Sequence, residues 1–223
     1  MSRKTPARRA AWLSISVFSV PVISLLSIVL VAAQEAPVLV YRKIFKGSSP
    51  EYVELRISDR GCTYDIRGLA DEPEPRPFEV YPATIQRMFA LAAQLDNFRG
   101  AQLDVRKRIA NLGEKTFRYE GGREVYETKF NYTTNPTAME LLMLFEGLSR
   151  QQDHLQTLAH RMRYDRLGVN QALLNFEMDL DRKVIPEPER LLPALEQLAA
   201  DARYVDIARQ RARMLIERIK ASR

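Results

Sequence analysis

The C-terminal stretch "VDIARQRARMLIERIK", Val205 to Lys220, sets Arg209, Arg211, Arg213 and Arg218 beside Lys220. Such a run serves one of two chemistries. Either the helix grips an anion, nucleic acid or lipid, or it packs on its own protein and carries a charged rim. On a helical wheel at about 100° per residue, Val205, Ala208, Ala212, Leu215, Ile216 and Ile219 share one stripe. Arg209, Arg213 and Lys220 flank it on one side, Arg211 and Arg218 on the other. Opposite the stripe stand Asp206, Gln210 and Glu217, within a turn of the cations. Arginine stems beside an apolar seam cover it while the guanidinium stays wet. The stretch therefore reads as a packing helix, with Arg209, Arg211, Arg213 and Arg218 as candidate contacts for a partner. A nucleic-acid reader needs a contiguous cationic footprint or a recognisable reading module, and neither is present.

The remaining reactive residues are few. His154 and His160 are the only histidines. A spacing of six turns them about 240° apart on a helix, so one face cannot offer both to a metal; both read as surface or helix-packing residues. Asp179 and Asp181 in "MDLDRK" begin a calcium-loop pattern that lacks its glycine and its later glutamate. Cys62 is the single cysteine, which rules out an intramolecular disulfide, and its place in "GCTYDIRG" reads as a small buried residue. The chain has no HExxH, CxxC, GxSxG or phosphate-binding glycine loop. No metal or cofactor site is expected, and a non-catalytic role is favoured. Carboxylate pairs assemble in space and leave no spacing to read, so the alternative is a hydrolase using carboxylates in an inter-domain cleft.

Placing these residues begins with the N-terminus. "MSRKTPARRAA" carries four basic residues and no acid, and an uncharged apolar run follows from Trp12 to Ala33. That is the pattern of an export signal cleaved after Ala33, or of an uncleaved membrane anchor. Either way residues 34–223 belong outside the cytoplasm: periplasmic, secreted, or tethered to the inner membrane. Setting aside residues 1–33 leaves 30 basic residues against 28 acidic ones, from 34 against 28. The basicity lies mainly in the targeting segment and does not argue for a polyanionic partner.

Residues 34–134 read as an α+β domain. "YVELRIS" alternates Val53, Leu55 and Ile57 against polar neighbours, "SDRG" is a turn, and "CTYDIRG" is the returning strand, flanked by "VLVYRKIF". "DEPEPRP", with three prolines, is an extended surface segment. A helix over 82–95 carries Ile85, Met88, Phe89, Ala92 and Leu95 on one face. "KTFRYEGGREVYETKFNYTTN" is a hairpin about Gly121-Gly122, with Phe117, Tyr119, Tyr126, Thr128, Phe130 and Tyr132 on a face destined for the core under that helix. Residues 135–223 read as a helical domain. Asn135-Pro136 opens a long helix to about Arg163 with Gly147 as its weak point, a second helix follows Val169, and two more complete the chain. The fold class is thus α+β: a small antiparallel sheet with a packed helix, then an all-helical region of stacked α-hairpins.

The last pair, "LLPALEQLAADARYVDIARQRARMLIERI", resembles a single HEAT-type hairpin, with Arg213 on a position that is apolar in that motif. One such unit buries its face only by stacking on a neighbour. The segments "ANLGEKTFRYEGG", "FNYTTNP" and "YDRLGV" are similar to an uncharacterised group of exported bacterial proteins. That resemblance implies export and carries no activity. The expected function is an exported, non-catalytic envelope protein acting as an interaction or scaffold module, its partner another envelope protein and not nucleic acid. Membrane contact would come through the N-terminal segment, and peripheral binding to anionic membrane is a further alternative.

Overall fold

The computed structural model describes residues 36–105 and 108–222, so the export segment expected at 1–33 lies outside the described residues. The described residues form one compact unit with an α+β fold. Six strands make a single antiparallel sheet: β1 (Val38–Ile44), β2 (Tyr52–Ile57), β3 (Cys62–Arg67), β4 (Arg76–Phe78), β5 (Glu114–Gly121) and β6 (Glu124–Phe130), in the order β4-β3-β2-β1-β5-β6. The proline-rich segment ends in β4. Pro77 faces Thr63 on this edge strand, where a missing N–H leaves no ladder bond unmade.

Alternation divides the sheet into an apolar and a charged face. Leu39, Tyr41, Leu55, Ile57, Phe117 and Phe130 are buried on the first. The other face is laced with ion pairs, Arg42 to Glu54 at 2.9 Å, Arg56 and Arg118 to Glu120 at 2.6 and 2.8 Å, and Arg118 to Glu127 at 3.5 Å. Each is half exposed and adds about 0.2–1 kcal/mol, but together they keep this face solvated.

The β5–β6 hairpin turns one residue later than its glycines suggest. Gly121 pairs with Glu124 and Tyr119 with Tyr126, leaving Gly122 and Arg123 as the turn. Gly122 has φ +60°, the left-handed value a two-residue turn requires at its first position. Gly121 is constrained differently: a Cβ there would fall within 2.7 Å of the Tyr119 ring carbon Cζ. Phe117 faces Thr128 rather than Tyr126. A shift of two residues preserves the side-chain faces, so the aromatic face stays on the core side, except that Tyr132 is exposed at its end.

Five helices follow the pattern anticipated for them. They are α1 (Pro82–Gln94), α2 (Pro136–Tyr164), α3 (Val169–Asp181), α4 (Leu192–Ala200) and α5 (Asp206–Ala221). The Asn135 side chain accepts from the Ala138 N–H at 3.0 Å, and Pro136 occupies the first turn. The cover of the aromatic face is α2 rather than α1 alone: Phe145 stacks on Tyr41 at 5.2 Å and lies 5.8 Å from Phe117. Met88, Leu91 and Ala92 of α1 complete the same core.

With 29 residues, α2 is roughly 43 Å long and serves two cores. Ala138, Leu141, Leu142, Phe145 and Leu148 face the sheet. Leu155, Leu158 and Met162 face the helical layer with Leu173, Phe176, Leu195, Leu215 and Ile219. Helix α2 runs unbroken through Gly147. Its bare Cα admits the chain at 184–186, since a Cβ would stand 2.6 Å from the Val184 carbonyl oxygen and 2.8 Å from the Pro186 ring.

Candidate functional site

Between its two apolar stretches α2 buries Gln151, Gln152 and His154. Polar groups out of water need partners, and these side chains organise a polar joint between sheet and helical layer. His154 Nε2 lies 2.9 Å from Asp179 Oδ2 on α3, and its ring meets Phe176 edge-on at 5.4 Å. Asp179 Oδ1 accepts from Arg150 at 3.1 Å, and Arg182 stands 3.9 Å away. Asp179 is thus the centre of a cationic cluster. The start of a calcium loop read at Asp179 and Asp181 resolves into two separate ion pairs, since Asp181 is taken by Arg218. His160, in contrast, is exposed and lies against Tyr164 at 5.1 Å. No group of three or more metal-ligating side chains converges among the described residues.

On the same helix, Gln151 Oε1 accepts from the Glu187 backbone N–H at 3.0 Å. The Glu187 carboxylate, 1% exposed, accepts from the Tyr81 N–H at 2.8 Å and from Arg190 Nε at 3.3 Å. Arg190 in turn lies over the Tyr81 ring and bonds Glu79 at 2.6 Å. Glu187 therefore clasps the start of α1, the middle of α2 and the turn before α4. Gln151 Nε2 is buried without a partner among the described residues, a local cost of about 1–3 kcal/mol.

A groove of about 460 Å³ opens beside this joint, between the end of the sheet and helices α2 and α3. Phe45, Pro50, Val53 and Ile66 supply apolar lining; Lys43, Glu146, Arg150 and Asp153 supply the charged wall, with the His154 ring beside them. The period of two carries Lys43 to the helix side of β1, where it stands 3.5 Å from Glu146. Glu146 Oε1 also accepts from Tyr41 Oη at 3.2 Å. Burial first, and then the Glu146 charge, push the Tyr41 phenol well above its ordinary range, so it remains a neutral donor. Two of the acids on this wall, Glu146 and Asp179, are already held by neighbouring donors. Cys62 is buried away from the groove lining, its thiol pushed up chiefly by burial, which makes it a poor nucleophile.

The four C-terminal arginines do not converge on one surface. Arg211 and Arg218 both bond Glu177 of α3, and Arg211 Nε reaches Asn170 Oδ1 at 3.2 Å. Arg218 also holds Asp181. Arg213 donates to the Ala199 carbonyl at 3.2 Å, satisfying the C-terminal end of α4. Arg209 pairs with Asp206 on its own helix. No sequence pattern marks Lys43, Glu146 and Arg150 of the groove, or Glu187 of the joint. The signal for the joint was the gap in α2's apolar stripe between Leu148 and Leu155, filled by Gln151, Gln152 and His154. No family model, curated protein or solved structure matches the chain.

Proposed function

We propose that this is an exported, non-catalytic envelope protein acting as an interaction or scaffold module, with the groove beside the polar joint receiving a segment of another envelope protein. One observation carries the reading. The groove joins an apolar floor to a wall of charges, most of which already neutralise each other, an arrangement suited to docking a mixed polar and apolar segment. The basic and apolar N-terminal pattern supports export, and the α4–α5 hairpin stacked on α3 supports a HEAT-like packing unit. The test places a photo-crosslinking residue at Asn175, on the groove, in the full chain. It should capture a discrete envelope protein that a probe at Val125, on the outer hairpin, does not. Asp153→Arg, at the exposed rim, should abolish that capture. Identical capture from both positions, or none from Asn175, would overturn the reading.

The hydrolase alternative has one observation in its favour, since Glu146, Asp153 and Asp179 line the same groove. Against it, Glu146 is bonded to Tyr41 and Lys43, and Asp179 to His154 and Arg150. A Glu146→Gln variant that retains partner capture separates the two readings.

A further inference from the structure

The far end of the helical layer is formed by two turns, one joining α2 to α3 and one joining α4 to α5. Tyr204 Oη donates to the Met162 carbonyl at 3.0 Å, which seats the second turn on the end of α2. Arg211 reaches Asn170 in the first turn of α3. Ile207 lies one helical turn before Arg211 on the same face of α5, toward the α4–α5 turn. At the helix ends beside these turns Tyr164 is 67% exposed and Ile207 56%, and within the turns Leu167 is 81% and Val205 43% exposed. The helical wheel placed Val205 in the apolar seam. As the N-cap residue of α5 it precedes the first turn and stays outside. A single exposed apolar side chain is ordinary, but four large ones at two adjoining turns and the helix ends beside them form a patch.

The charge around this patch is one-sided. Asp165, Asp201 and Asp206 are each neutralised locally, by Arg161, Arg203 and Arg209. Arg163 and Arg166 make no direct ion pair with an acid among the described residues, and Arg166 acts on Asp201 only through its charge, behind Arg203; both are exposed, and Arg163 lies over the Tyr164 ring at 5.2 Å. The patch therefore carries aliphatic and aromatic tips inside a rim with surplus positive charge. We infer that this end of the protein docks on an anionic lipid surface. Leu167, Ile207 and Tyr164 enter the headgroup boundary, while Arg163 and Arg166 stay at the level of the phosphates. This inference stands apart from the groove and does not depend on what the groove binds.

Residues 12–33 are apolar and would hold the full chain to any vesicle, so the readout must be local to the patch. The full chain with Cys62→Ala and Leu167→Cys, labelled at residue 167 with an environment-sensitive fluorophore, is reconstituted into phosphatidylglycerol or phosphatidylcholine vesicles. The emission should brighten and shift to the blue in phosphatidylglycerol and not in phosphatidylcholine. Adding Arg163→Glu and Arg166→Glu should weaken the docking equilibrium at least tenfold, from a contribution of roughly fivefold per cation at an anionic surface. A label at Val125 should stay unchanged in both lipids. An unshifted label at 167 in phosphatidylglycerol overturns the inference, as does an equal shift in both lipids. A shift in detergent that grows with protein concentration would also overturn it, by assigning the patch to a second copy of the chain.

Discussion

Replacing Gly147 with alanine separates what a helix alone would favour from what this packing permits. In an exposed helix interior the change stabilises by about 1 kcal/mol, because alanine loses less backbone entropy. Here the new Cβ stands 2.6 Å from the Val184 carbonyl oxygen and 2.8 Å from the Pro186 ring. The carbonyl belongs to the backbone and cannot rotate away, so the chain at 184–186 must lift. Overpacking of this kind costs about 1–3 kcal/mol. One helical turn on, Gln151 holds the Glu187 N–H, and weakening that bond costs about 1 kcal/mol more. Against the helical gain, the balance is a loss of about 2 kcal/mol. For a chain of this size that lowers the melting temperature by about 4–8 °C, measured by circular dichroism at 222 nm. Pro186→Ala in the same background should recover only the part due to the ring. A Gly147→Ala protein that melts at or above the parent temperature would refute the close-packing account of Gly147.

Two further outcomes follow from the ion pairs. Two-pronged hydrogen bonding from Arg203, with a further bond from its backbone N–H, holds the Asp201 carboxyl down to about 2. A depressed carboxyl contributes stability above the ordinary aspartate range and loses it as pH falls through about 2. An NMR titration of the Asp201 side chain should show that low midpoint, and a midpoint near the ordinary value for aspartate would contradict it. Arg211 and Glu177 should be coupled by about 0.5–1 kcal/mol in a double-mutant cycle to alanine, read from denaturant unfolding. Purely additive single mutants would show that the Arg211–Glu177 pair does not hold α5 to α3.

The sheet was legible because alternation is a local property. Val53, Leu55 and Ile57, and the run from Phe117 to Phe130, declare their faces without reference to anything distant. The long helix was equally legible from Asn135-Pro136 and the spacing of Leu141, Phe145 and Leu148. Periodicity tells which face is buried but not what covers it, so the aromatic sheet face was assigned to α1, and α2 supplies Phe145. The hairpin register is ambiguous in sequence because two consecutive glycines offer two places for one turn; the observed pairing keeps Gly121 in the strand and sets Gly122, at φ +60°, in the turn. Glu187 looked like an ordinary acid between two prolines. Its role depends on Tyr81 and Gln151, 106 and 36 residues away, and no local pattern records such partners. The wheel sets the arginines of α5 beside an apolar seam, but their partners Glu177 and Asp181 on α3 are invisible to it, because a wheel pairs a helix only with itself.

The double duty of α2 also imposes an order on the protein's synthesis. A chain emerging from the ribosome N-terminus first presents all six strands by Phe130, while Leu141, Phe145 and Leu148 are still to come. During that interval Tyr41, Phe117 and Phe130 lack their main cover, and α1 can shield only the flank. Once α2 closes the first core, its far end protrudes with Leu155, Leu158 and Met162 bare until α3, α4 and α5 arrive. The nascent chain therefore passes through two successive windows of apolar exposure, one on each side of the polar joint. These are the stages at which a holding chaperone has most to grip and premature self-association has most to gain.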